Sequence, residues 1–152
     1  MEWLKIIVGV GGVIFMFCFF YGCSNSMRPI KESDSYFLKG DKIIYSYHGA
    51  LFVLGKGEVV GADLKTFTPV NDEYAYDKSG VYWNEFLIKG ADKDSFKIFG
   101  KNYAKDKNRV YYKQNPLEAD VNSFKVGGKF EAEDKDNYYS HGKIKYSRKE
   151  ID

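Results

Sequence analysis

The feature that most constrains this chain is a string that returns: Asp77-Lys78-Ser79-Gly80-Val81-Tyr82-Trp83, then Asp106-Lys107-Asn108-Arg109-Val110-Tyr111-Tyr112, then a shortened Asp134-Lys135-Asp136-Asn137-Tyr138-Tyr139. A second string keeps step with it, Ala-Asp-x-x-(Ser/Thr)-Phe at residues 62–67, 91–96 and 119–124. Its Asp advances by 29 residues from Asp63 to Asp92 and by 28 from Asp92 to Asp120, a period at which one supersecondary unit is copied along a chain. Such a chain folds unit against unit, and its end units are atypical because they face water.

Each copy reads as β structure. In Tyr103-Ala104-Lys105-Asp106 and Val110-Tyr111-Tyr112-Lys113, aromatic and β-branched residues flank an Asp/Asn-rich reversal, which predicts a β-hairpin. The turn Asp accepts bonds from backbone two residues on, and Gly80 or Asn108 suits the reversal. After a connector, Asp92 and Asp120 are placed to N-cap a single helical turn that leaves Phe96 and Phe124 against the sheet. Lys97-Ile98-Phe99 and Lys125-Val126 follow as short strands. The unit is therefore strand, hairpin, one-turn helix, strand. In the first copy Asp41-Lys42 stands where the Asp-Lys turn belongs, and Leu51 to Val60 reads as an inserted hairpin. The fourth copy is cut short after Tyr146. The expected fold class is mainly β, tandem repeats of antiparallel strands and hairpins with one-turn helices, plus an N-terminal apolar helix.

That helix rests on Ile6 to Met27, a run of 22 residues without charge, long enough to cross a bilayer. Lys5 precedes it, and Phe20-Tyr21-Gly22-Cys23 places a small residue just before a cysteine. This resembles the end of a bacterial lipoprotein signal, with Cys23 as the lipid attachment site; an uncleaved anchor helix is the alternative, because aromatics stand where such signals carry an aliphatic and a small residue. The division is residues 1–22 as signal peptide or membrane anchor, 23–35 as polar tether and 36–152 as repeat domain. Cys18 and Cys23 are the chain's 2 cysteines, so the repeat domain has no thiol for disulfide or thiolate chemistry. Its 13 Tyr and 12 Phe supply a core instead.

The recurring Asp-Lys-x-x-Val-Tyr-Tyr with its interleaved Ala-Asp-x-x-Ser-Phe resembles the DKNYY family of bacterial exported proteins, residues 106–112 being the nearest copy and Tyr36 to Tyr146 the span covered. The resemblance implies a bacterial cell-envelope location and brings no catalytic residues.

The residues themselves offer little chemistry. His48 and His141 lie far apart in a domain without cysteine, which leaves a zinc ion short of ligands. Asp134 to Asn137, preceded by Glu131 and Glu133, has the acidity of a calcium loop without its glycine or distal glutamate, and reads as a turn. Asp92 and Asp94 are a carboxylate pair, one of them already assigned to a cap. A net charge of +2, spread evenly from 23 basic and 21 acidic residues, argues against a nucleic-acid surface. The Tyr pairs place successive rings on opposite faces of a strand. One ring then packs between repeats while the other faces solvent, where a stripe of them would suit a protein or glycan partner. The expectation is a non-catalytic, membrane-tethered envelope protein that binds or scaffolds, with no cofactor and no metal; the alternatives are an immunity-type protein that neutralises an envelope-targeted toxin, or an unrecognised enzyme.

Overall fold

The computed structural model describes residues 26–48, 53–127 and 131–150. The N-terminal apolar run and Cys23 lie outside them. The described chain forms four antiparallel four-stranded sheets, each a meander in chain order. The first holds β1 (Arg28–Pro29), β2 (Tyr36–Lys39), β3 (Lys42–His48) and β4 (Val53–Glu58). The second holds β5 (Thr68–Pro69), β6 (Tyr74–Tyr76), β7 (Val81–Trp83) and β8 (Phe86–Leu87). β9 (Lys97–Gly100), β10 (Tyr103–Lys105), β11 (Val110–Tyr112) and β12 (Asn115–Leu117) make the third. The fourth is β13 (Lys125–Val126), β14 (Ala132–Glu133), β15 (Asn137–Ser140) and β16 (Lys143–Ser147). Among the described residues no helix is long and apolar enough to cross a membrane.

The expected hairpins form, and in one register: Tyr36 opposes Tyr45, Tyr74 opposes Trp83, and Tyr103 opposes Tyr112. A one-residue slip would move every ring to the other face of its sheet. Four features differ from the sequence reading. The strand after each Asp-x-x-Ser-Phe cassette opens the next sheet and does not close its own, so the cassette is the link between sheets. The connector carries a fourth strand, β8 or β12, and Val53–Glu58 is the equivalent strand of the first sheet, not an inserted hairpin. Asp41-Lys42 does not stand in for Asp77-Lys78: Lys39 pairs Lys42 around a two-residue turn, and Lys39 occupies the place of the turn Asp, three residues beyond Tyr36. Finally, Arg28 and Pro29, read as tether, pair with Leu38 and Phe37 as β1.

The cores lie between sheets, one for each successive pair. Tyr36, Ile43, Phe67, Ala75 and Tyr82 fill the first layer. Tyr74, Val81, Ala104 and Tyr111, with Phe96 against them, fill the second. Tyr103, Val110, Phe124, Ala132 and Tyr139 fill the third. Each cassette Phe sits between a Tyr of the sheet before and a Tyr of the sheet after. Ring centroids are 5.3 and 5.7 Å from Phe67, 6.1 and 5.7 Å from Phe96, and 5.7 and 5.9 Å from Phe124. These are tilted and edge-on contacts, the geometry favoured by the ring quadrupole. Burial of one such ring stabilises by roughly 2–3 kcal/mol. Small Ala75, Ala104 and Ala132, each essentially inaccessible, leave room for it.

Candidate functional site

The recurring polar residues meet at three joints. In each, the turn Asp is buried and saturated. One oxygen of Asp106 accepts the amides of Asn108 and Arg109 at 2.7 and 2.8 Å; the other accepts the Asp92 amide at 2.7 Å and the Tyr111 hydroxyl at 2.9 Å. Asp77 does the same with Ser79, Gly80, Asp63 and Tyr82, and Asp134 with Asp136, Asn137, Asp120 and Tyr139. The bond that crosses from cassette to turn spans 14 residues every time.

The cassette Asp is engaged as fully. Ser95 donates its amide and hydroxyl to Asp92, as Thr66 does to Asp63 and Ser123 to Asp120. The same hydroxyl accepts the amide of the motif Lys. That Lys returns its ammonium to the cassette carboxylate: Lys78 to Asp63 at 2.6 Å, Lys107 to Asp92 at 2.8 Å and Lys135 to Asp120 at 3.5 Å. The predicted cap at Asp92 heads a one-turn 3-10 helix, Lys93–Ser95; Asp120 makes the same bonds over a plain turn.

Electrostatics follow from these contacts. Hydrogen bonding by Lys107, then by Ser95, holds the Asp92 carboxyl down at about 2. Lys78 and Thr66 lower Asp63, and Ser123 leads in lowering Asp120. At Asp106 and Asp134 burial pushes the carboxyl up, but the converging amide and tyrosine donors outweigh it and both stay below the ordinary range. Burial, then the bond to Asp77, raises Tyr82 to about 12, and Tyr111 and Tyr139 are raised for the same reasons. Asp63, Asp92, Asp106, Asp120 and Asp134 are therefore held ionised beside neutral phenols, and both oxygens of each turn Asp already accept two donors.

The Tyr pairs divide between layers. Tyr82 packs in the first core and Trp83 against the second; Tyr111 packs in the second and Tyr112 against the third. The second ring of each pair is half-buried and not turned to solvent, because an inner sheet has a neighbour on both faces. Lys113 sets its ammonium 5.3 Å from the Trp83 ring and 5.6 Å from Tyr112. His141 is exposed and faces Glu131 at 3.4 Å, His48 ends β3, and Asp94 is exposed in the one-turn helix. Among the described residues no group of three or more His, Cys, Asp and Glu side chains could hold a metal ion.

The residues that do not recur gather elsewhere. A cleft of about 650 Å³ runs along the outer strands of the first three sheets, with Val60, Phe86, Leu87 and Pro116 as its apolar lining and Lys89 and Arg109 as its cations. Phe86 and Leu87 are 43% and 40% exposed and Val60 74%. Glu58, at the same cleft, is tied to Lys42 at 2.7 Å. Glu85 accepts the Tyr47 hydroxyl with one oxygen, while its other oxygen and that of Gln114 are shielded and unpaired. Sequence reading passed over this set; the available signal was a difference between copies, since Lys89 stands where the first copy has Val60, and Arg109 where the second has Gly80.

No curated protein and no solved structure matches the chain. The family model described as DKNYY family matches residues 15–115, from within the apolar run to the start of β12. The fourth sheet, beyond that match, repeats the joint bond for bond through Asp120, Asp134 and Tyr139. By motif, by joint and by a match over most of its length, the chain belongs to the DKNYY family.

Proposed function

We propose that the chain is a non-catalytic repeat protein of the bacterial cell envelope, tethered to a membrane at its N-terminus and acting as a binding or scaffolding module through the cleft at β4, β8 and β12. One observation carries this reading. The recurring carboxylates, lysines and tyrosines are spent on holding sheet to sheet, while the side chains that differ between copies line an open, partly apolar cleft. Selection for stacking explains the first set and not the second, and exposed apolar clusters rimmed by polar groups mark interaction sites.

The tether follows from the 22 uncharged residues and Gly22-Cys23. A lipid on Cys23 predicts incorporation of labelled palmitate that Cys23→Ala abolishes, and labelling that persists in the variant rules out attachment at that residue. The binding role is tested at the cleft. Replacing Phe86 and Leu87 together by Ser, both on exposed edge positions, should move the melting temperature by no more than about 3 °C. The same change should remove capture of envelope components by the full-length chain. Capture that survives both substitutions sinks the cleft as the binding surface.

A further inference from the structure

The cleft's chemistry is asymmetric, and this narrows its occupant, given the binding role proposed above. Lys89 and Arg109 are exposed and, among the described residues, neither is in an ion pair. Of the cleft's carboxylates, Glu58 is paired with Lys42, whereas Glu85 takes only a hydrogen bond from the neutral Tyr47 hydroxyl and keeps its charge. Two unpaired cations against one unpaired carboxylate leave the cleft net positive. The same cleft is lined by Phe86, Leu87 and Pro116. A ligand that fits both features carries carboxylates and an apolar side chain.

We infer that the cleft receives an acidic segment of a partner protein, its carboxylates on Lys89 and Arg109 and an apolar side chain over Phe86 and Leu87. A neutral glycan would cover the Phe86 ring but would leave two cations unmatched. Recognition of this kind is partly electrostatic, so binding weakens with salt.

The test is selection of displayed random dodecapeptides on the immobilised full-length chain in detergent, beside a glycan array probed with the same chain. The expected result is enrichment of sequences pairing Asp or Glu with an apolar residue. A synthetic peptide of the enriched sequence should bind roughly tenfold more weakly to Arg109→Gln and again to the pair with Lys89→Gln. Near-UV circular dichroism confirms that the variants keep the fold. Basic or uncharged consensus sequences, or binding indifferent to both substitutions, overturn the inference. Glycan binding lost in Phe86→Ser without any peptide enrichment also overturns it, yet leaves the binding role standing; the absence of either ligand removes both.

Discussion

Asp106 takes four donors on two oxygens while 2% exposed. Removing its carboxylate strands the Asp92 amide of the linking cassette, two amides of its own turn and the Tyr111 hydroxyl. Asp106→Ala should cost about 3 kcal/mol or more, whereas Tyr111→Phe, which leaves the other three bonds intact, should cost about 1 kcal/mol. Urea titration separates the two, and equal losses would mean that the carboxylate is not the hub. The carboxylates also set the acid limit. The folded pKa values of Asp63, Asp92, Asp106, Asp120 and Asp134 are depressed, so the unfolded chain binds more protons, and the stability these groups confer is complete above the ordinary value near 4. It declines as pH falls from about 4 toward the Asp92 value of about 2. A flat urea midpoint across that window would contradict the joint electrostatics. At this scale the sequence showed half of the answer. An Asp two residues ahead of a reversal is legible as a turn former, but its second oxygen bonds an amide 14 residues earlier, and no local pattern announces that. The signal lay in the spacing: cassette to turn is 14 residues in every joint even though the copies slip from 29 to 28. The lost residue falls outside the joint, where Gly61 and Gly90 bend the chain in two copies and the third passes directly from Glu118 to Ala119.

The elements follow the same division. The hairpins were readable because Tyr, Val and Trp alternate on either side of an Asp-rich turn. The fourth strands were not, since Phe86–Leu87 is two residues long and Asn115–Leu117 contains Pro116, tolerated because it lies on an edge strand. The missing turn Asp of the first sheet is matched by a missing Tyr: Lys39 replaces Asp, and Ile44 stands where Tyr82 would have donated to it. Packing between elements gives two tests. Phe124, 4% exposed between Tyr103 and Tyr139, should cost about 3–4 kcal/mol when cut to Ala. Gly142 has φ near 70° and a Cβ there would sit 2.4 Å from the Tyr112 ring. Gly142→Ala therefore strains both the backbone and the contact between third and fourth sheets, by about 2 kcal/mol. Unchanged thermal melting of this variant would show that the two sheets are not pressed together there.

The whole molecule is a row of sheets in which each successive pair shares one core and one joint, so stability is a sum over neighbours and the ends need closing. Within the fourth sheet Arg148 ties the turn to the strands. Its guanidinium bonds the Asp134 carbonyl at 3.0 Å, the Tyr138 hydroxyl at 2.6 Å and Glu133 at 2.9 Å, and lies 4.2 Å from the Tyr138 ring centroid. Arg148→Ala should speed hydrogen exchange in β14 to β16 and leave β2 and β3 unchanged; acceleration through all four sheets would mean that the row unfolds as one unit. The central claim is that the repeated motif exists to join sheets, and amide hydrogen exchange at Asp63, Asp92 and Asp120 tests it most directly. All three amides lie outside the strands, so slow exchange at each has the carboxylates of Asp77, Asp106 and Asp134 as its source. The account predicts strong protection at all three; exchange as fast as in the exposed turns would contradict it.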